Sequence, residues 1–376
     1  MEAALTATSV PPGPIEVPID QAESALNRAW LSLGDPARAR TLNLVCVCQN
    51  DAELDYAVHA ARDVVPGHPG RVIVVRLDSP VGDAPVLTRV GLLEDVSKPG
   101  AYVGESLVLT VRGSAREHVA TVVERLLAPG VPVVLWWLGD VPDEPSAFVR
   151  LADRSDVVTV DSSQIDLTDL TTLQRYVTQR ARPTQSISDI EWLRLRPWQE
   201  SLARFFDDPA TLAGLSRAES LELAFHTPSR GDFASAKAAL FAGWFAARLT
   251  LRTPGTIRWA PRENGRALWL SRPDGQPFAL TMTIDHRPGL HEGALTRVTV
   301  SSAVGDRFEL EREGASRVLA WRGACAGAVL PEAVLRIGPP DTPRMLRRLL
   351  DRPERDELFL EALAQAAPWF GGGYRS

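Results

Sequence analysis

Residues 131–142 read VPVVLWWLGDVP, and this stretch decides the fold. Val131, Val133, Val134 and Leu135 are strand formers that lead into Trp136 and Trp137, and Gly139-Asp140 then marks a turn. Successive strand side chains point to opposite faces, which sets the two indoles on opposite sides of the sheet. A strand apolar on both faces belongs inside a parallel sheet covered on both sides by helices. The C-terminal end of such a strand is where α/β folds place their binding crevice.

Working outward, strands alternate with helices. A helix is expected over Ile19 to Leu33, a strand over Thr41 to Cys48, and a helix from an N-cap at Asn50-Asp51 to about Val65. The breaker cluster Pro66-Gly67-His68-Pro69-Gly70 precedes a strand over Arg71 to Leu77. Val86–Leu93 and Glu105–Arg112 read as further strands. Ser114 and Glu117 form a capping-box pattern for a helix that Pro129-Gly130 ends. After the tryptophan strand come a short helix and the strand Val157–Val160, which runs into Asp161-Ser162-Ser163. The expectation is a loose tail over residues 1–14 and an α/β domain with a mainly parallel sheet over residues 15–165.

The second half reads as an α+β domain over residues 166–368, followed by a flexible tail over 369–376. Helices are expected at Leu167–Arg180, from Pro197 as first residue, at Ala234–Leu249, near Thr342–Leu350 and at Arg355–Ala366. Strand-like runs at Leu221–Phe225, Thr256–Trp259, Ala267–Ser271, Phe278–Ile284, Thr296–Ser301, Arg307–Glu311 and Arg317–Trp321 predict an antiparallel meander.

Bulk properties narrow the function. The 376 residues are 45% hydrophobic and 23% charged, ordinary for a globular chain. The net charge of -6 argues against a nucleic-acid or anionic-membrane partner, both of which select basic surfaces. No 18-residue apolar run and no signal-peptide pattern is present, and three cysteines are too few for a disulfide framework, so a cytoplasmic location is expected.

Catalytic and cofactor motifs are looked for and not found: there is no G-x-G-x-x-G, P-loop, H-E-x-x-H or G-x-S-x-G. No cofactor and no metal are expected. Cys46 and Cys48 share one strand face at about 6.6 Å for a rise of ~3.3 Å per residue, and read as buried thiols, with a redox pair as the alternative. Asp285-His286 with His291-Glu292 reads as a polar loop before a metal site. His68, Pro69 and Arg71 form a turn whose functional reading is anion or partner contact. Trp192, Arg194, Arg196 and Trp198 alternate aromatic and basic groups, a pattern for packing or for gripping a phosphate or base. Trp369 and Phe370 open an aromatic tail read as disordered or docking on a surface.

Several of these segments together resemble one family, the glucose-6-phosphate dehydrogenase assembly proteins, often called OpcA. The carrying stretches are RTLNLVCV (40–47), HPGRVIVV (68–75), LLAPGVPVVLWWLG (126–139) with VVTVDS (157–162), IEWLRLRPWQESLARFFDDP (190–209) and ALFAGWFAARL (239–249). The sequence departs from the family pattern at Gly70, where Ser is expected, and at Gln199, where Arg is expected. The resemblance implies a non-catalytic partner that binds glucose-6-phosphate dehydrogenase and promotes its assembly or activation, in some photosynthetic bacteria under redox control. His68, Pro69, Arg71, Trp136, Trp137, Asp161, Ser162, Trp192, Arg194 and Trp198 are then motif positions with structural or partner-contact roles. The alternative is an enzyme or sensor that binds a sugar phosphate or nucleotide at the strand ends near Trp137 and Asp161.

Overall fold

The computed structural model describes residues 13–34, 38–82, 86–95, 97–142, 146–227, 235–338 and 341–371. Most of the expected N-terminal tail and the last five residues of the expected C-terminal tail lie outside these. The chain forms two compact units. The first takes Met1–Asp161, Arg180–Ser188 and Asp341–Arg355, and the second takes Ser162–Gln179, Asp189–Pro340 and Asp356–Ser376. Each unit draws residues from both sides of position 165, where the sequence reading drew its boundary.

The first unit is built on an eight-stranded sheet: β1 (Ile15–Val17), β2 (Leu42–Cys48), β3 (Gly70–Leu77), β4 (Leu87–Glu94), β5 (Tyr102–Val111), β6 (Val133–Trp137), β7 (Val157–Val160) and β8 (Ser186–Asp189). Their order is β1-β4-β5-β3-β2-β6-β7-β8. β2 pairs in parallel with β3 and β6, as do β3 with β5 and β6 with β7, while β4 runs antiparallel to β5 and β1. The sheet is mostly parallel, as the tryptophan strand implied. Every residue of β2 is buried, the signature of a strand covered on both faces. Helices α1 (Ala22–Ser32), α2 (Asp51–Val64), α3 (Val119–Leu126) and α4 (Ala147–Ala152) pack around it. Trp136 meets Tyr56 of α2 edge-on at 5.7 Å, and Trp137 meets Phe148 of α4 at 5.3 Å, which places the two rings on opposite faces. A Cβ at Gly70 would collide with the Leu42 carbonyl oxygen, so glycine at that position lets β2 and β3 approach closely.

The second unit carries α5 (Asp169–Gln179), α6 (Ile190–Ala203), α7 (Pro209–Ser216) and α8 (Ala236–Arg248). Its nine strands are β9 (Ser220–Phe225), β10 (Ala260–Arg262), β11 (Gly265–Ser271), β12 (Pro277–Ile284), β13 (Leu295–Ser301), β14 (Arg307–Arg312), β15 (Val318–Cys325), β16 (Ala328–Val329) and β17 (Ala333–Arg336). The order β10-β11-β12-β9-β13-β14-β15-β16, with β17 also on β15, makes the sheet mostly antiparallel. It is not a simple meander, because β9 inserts between β12 and β13 and runs parallel to β12. A second helical pair completes the chain: α9 (Thr342–Asp351) packs on α2 in the first unit, and α10 (Glu357–Ala366) packs on α8 in the second. Gly243 lies in that α8–α10 contact, where a Cβ would strike the Ala362 carbonyl oxygen.

Three local expectations are corrected. Pro197 does not open a helix but lies inside α6, which begins seven residues earlier because Asp189 caps it by accepting from Glu191 N–H at 3.0 Å. The lost backbone bond costs roughly 3 kcal/mol, and burial of Trp192, Leu195, Trp198 and Leu202 along the same helix offsets it. Thr256–Trp259 is not a strand; the pairing begins at Ala260. Trp369 and Phe370 are not in a loose tail, because both are buried in a 3₁₀ turn, with Trp369 Nε1 bonded to Thr253 Oγ1 at 3.0 Å. Among the described residues no helix is long and apolar enough to cross a membrane.

Candidate functional site

A doubly wound sheet binds ligands where its strand order reverses. Here that point lies between β2 and β6, above Cys48–Asn50 and Trp137–Asp140. The chain's own groups occupy it. Asn50 Oδ1 accepts from Glu53 N–H at 2.9 Å, and Glu53 Oε2 accepts from Gln49 N–H at 2.7 Å, a reciprocal cap on α2. The helix N-terminus that would hold a phosphate already faces a carboxylate. Gln49 Nε2 spans to the Asp140 carbonyl at 3.0 Å, and Trp137 Nε1 donates to the same oxygen at 2.9 Å. Gly139 takes the left-handed φ of 78° that favours glycine, with the Gln49 side chain lying over it. The strand-end site therefore presents a closed hydrogen-bonded rim, not a cradle.

His68, Pro69 and Arg71 sit at the other end of the sheet, where β3 begins. The Pro69 carbonyl accepts from Thr41 N–H at 2.7 Å, and His68 Nε2 lies 3.1 Å from Asp351 Oδ1 beside α9. Arg71 is 2% exposed. Its Nε donates to Glu105 Oε2 at 2.7 Å, its Nη2 to Glu23 Oε2 at 3.2 Å, and its Nη1 to Glu23 and the Leu126 carbonyl. Glu105 Oε1 also accepts from Trp30 Nε1 at 2.9 Å and Arg40 Nη2 at 2.6 Å. Burial pulls the Glu105 carboxyl up, but Arg71 and Arg40 outweigh it and hold it below the ordinary range. Arg71 is consumed by internal partners, and an external anion would have to displace two carboxylates.

The α6 motif builds a second polar cluster, within the second unit. Ser162 N–H and Oγ donate to the Asp189 carboxylate at 2.9 and 2.6 Å. Arg194 Nη1 donates to Glu191 Oε2 at 2.7 Å, and Glu191, itself 2% exposed, also pairs with Lys237 from α8. Lys237 Nζ reaches His291 Nε2 at 3.3 Å. Partial desolvation and the positive charges of Lys237, Arg312 and Arg194 hold the His291 imidazole low, at about 4, so it is neutral at pH 7. Trp192 Nε1 donates to Asp356 Oδ2 at 3.0 Å, and the Arg312 guanidinium lies 5.7 Å from the centre of the buried Trp198 ring. The structure thus brings Ser162, Trp192, Arg194 and Trp198 together around α6. His68, Pro69 and Arg71 stay apart from Trp136, Trp137 and Asp161 at opposite ends of the sheet. Sequence reasoning missed Glu23, Glu105, Glu191 and Lys237. A lone lysine in the otherwise apolar ASAKAALFAGWF was the one available signal.

The loop Asp285–Glu292 is tied down by internal partners: Arg287 pairs with Asp285 at 2.8 Å within the loop and with Glu311 of β14 at 2.7 Å, and its N–H donates to His226 Nδ1 at 3.1 Å. Cys46 and Cys48 are buried and unbridged. Burial pushes both thiols up, Cys48 to about 12 with Glu53 adding to the effect, which disfavours the thiolate that redox chemistry uses.

Comparison with known proteins gives the lineage. Residues 40–178 match the family described as the glucose-6-phosphate dehydrogenase subunit N-terminal domain, and residues 185–363 match the corresponding C-terminal domain. The chain belongs to the OpcA family of glucose-6-phosphate dehydrogenase assembly proteins. A relative in Synechocystis sp. that bears the name OpcA, with a provisional assignment to the OxPP cycle, is 26% identical over 68% of this chain and 54% of its own length. A Synechococcus elongatus protein of the same name is 32% identical over 38% of this chain and 31% of its own. The chain thus spans about half, or less, of the length of these OpcA relatives. Among solved structures, an NAD binding oxidoreductase from Klebsiella pneumoniae superposes with a TM-score of 0.47 and 10% identity, covering 88% of this chain and 97% of that one. That likeness is too distant to bear on the chemistry of an OpcA chain.

Proposed function

We propose that this chain is a non-catalytic, cytoplasmic partner that binds glucose-6-phosphate dehydrogenase and promotes its assembly or activation. The observation that carries the reading is the family match over both halves of the chain, in order. The geometry is consistent with it. The strand-end crevice is closed by Gln49, Glu53 and Trp137, and the motif residues Arg71, Trp136, Trp192 and Trp198 are buried. In this reading the motif residues hold the scaffold, and contact with the enzyme falls to the surface around them. Activation means higher affinity for the enzyme's active or assembled state than for its other states.

The experiment is size-exclusion chromatography of the purified chain with the cognate dehydrogenase. Co-elution at micromolar concentration is expected, with a changed substrate response of the enzyme and no hydride transfer by this chain alone. Separate elution with unaltered kinetics would end the proposal.

A further inference from the structure

Both sheets end in edge strands, whose outer backbone groups are open to pairing with another strand. Three of the four edges are blunted. β1 is three residues between Pro14 and Pro18 with Glu16 exposed, β8 is buried throughout, and β10 carries Pro261, which has no N–H, beside the exposed Arg262. The fourth edge, where β16 and β17 both pair with β15, is not. β17 is Ala333-Val334-Leu335-Arg336, with no proline and an unbroken register, and Val334 is 65% exposed and Val329 of β16 is 83% exposed. The pairing with β15 tells which backbone groups are open. Ile337 N–H donates to the Arg317 carbonyl at 2.9 Å, and hydrogen-bonded positions alternate along an antiparallel pair. Ala333, Leu335 and Ile337 therefore turn their N–H and C=O towards β15, while Val334 and Arg336 turn theirs away from it. Those four outward groups hold no hydrogen bond among the described residues.

A two-fold axis at Leu335 satisfies all four. It sets Val334 opposite the second copy's Arg336, and Arg336 opposite its Val334, so that each outward N–H meets an outward C=O. Leu335 meets Leu335 at the close, non-bonded position between these pairs. The charges follow the same register. Arg336 has no carboxylate partner among the described residues, and Glu332, 73% exposed in its side chain, has Arg322 at 3.7 Å. Across the axis Glu332 shares a face with the second copy's Arg336 and lies diagonal to it, within reach of long side chains. An unrelated strand could take the four hydrogen bonds. The Leu335 pair and the two Glu332–Arg336 diagonals are supplied together by a second copy.

We propose that β17 pairs antiparallel with the β17 of a second copy of this chain, joining two nine-stranded sheets edge to edge in a closed dimer. The inference stands apart from the dehydrogenase reading and is tested without that enzyme. The contact is short, which places it among weak, transient interfaces. Sedimentation velocity of the full chain from about 1 μM to about 500 μM is expected to show a rise towards twice the chain mass. Val334→Pro removes an outward donor without touching a bond to β15, and is expected to raise the dimer Kd by about 10-fold or more; Val334→Thr is expected to leave it unchanged. Arg336→Glu faces the second copy's Glu332 and is expected to weaken the dimer, and adding Glu332→Arg is expected to restore it. That rescue requires both strands to come from this chain. A wild type that stays monomeric across the range overturns the proposal, as does a dimer that Val334→Pro leaves intact or that the double exchange fails to restore. A monomeric wild type whose co-elution with the dehydrogenase is lost in Val334→Pro assigns the edge to the enzyme and overturns it too. If Val334→Pro fails to fold, the exchange of Arg336 and Glu332 decides.

Discussion

Replacing Arg71 by Met separates a scaffold role from a contact role. The substitution keeps most of the side-chain volume and removes the charge. It strips the Nε hydrogen bond and the ion pair from the Glu105 carboxylate, the ion pair from Glu23, and the donor from the Leu126 carbonyl. Glu23 is 46% exposed in its side chain and can turn to water, whereas Glu105 is 2% exposed and cannot. Breaking a buried pair from one side costs roughly 3–5 kcal/mol. Arg40 and Trp30 remain on Glu105, which places the expected loss at the lower end, about 3 kcal/mol. For a folding unit of this size that lowers Tm by roughly 6–12 °C. Thermal and urea melts followed by circular dichroism measure it. Adding Glu105→Met should recover part of the loss, since replacing both partners leaves no orphaned charge. The pH dependence has a definite sign. Glu105 is held below its ordinary value in the folded chain, so its contribution is complete above the unfolded value of about 4.3 and fades as pH falls through the lower folded value. Arg71→Met should lose that contribution and shift acid unfolding to higher pH. If Arg71→Met melts within about 1 °C of wild type yet no longer binds the dehydrogenase, the arginine is a contact and the reasoning is wrong.

Other perturbations have equally specific outcomes. At pH 8 the native chain should expose no thiol to an aromatic disulfide reagent within minutes, and denaturant should release three; rapid native labelling of Cys46 or Cys48 would revive the redox reading. Trp137→Ala removes a buried ring and its bond to the Asp140 carbonyl, with an expected loss of about 3–5 kcal/mol in urea unfolding. His291 is neutral in the fold and titrates lower than in the unfolded chain, so it makes stability fall as pH drops from about 6.5 towards about 4. His291→Asn should flatten stability in that window, and an unchanged slope between pH 4 and 6.5 would show that the imidazole is freely solvated.

The tryptophan strand and the alternation around it were enough to read the mostly parallel sheet, because strands buried on both faces leave continuous apolar runs. The insertion of β9 between β12 and β13 was not readable, since every strand there alternates in the same way and nothing local says which neighbours pair. Pro197 misled because its fixed φ suits a first helical turn, while the actual start was set by Asp189 and by four large apolar residues that hold the helix through the break. Arg71, Trp192 and Trp198 were visible as a pattern. Their roles were not, because Glu105 and Glu191 are distant or unremarkable in sequence and become meaningful only when folding buries them. The aromatic Trp369-Phe370 reads as part of a tail in sequence because three glycines follow it, and its partners, Thr253 and Trp259, lie more than a hundred positions away.

We propose that this chain acts on glucose-6-phosphate dehydrogenase by binding it. The most direct measurement titrates the purified chain into the cognate dehydrogenase at sub-saturating glucose 6-phosphate and follows the initial rate. A saturable rise that ends at a fixed stoichiometry, with no rate from the chain alone, is the predicted result. A rate that stays flat up to tens of micromolar added chain, with the two proteins eluting separately, would contradict it.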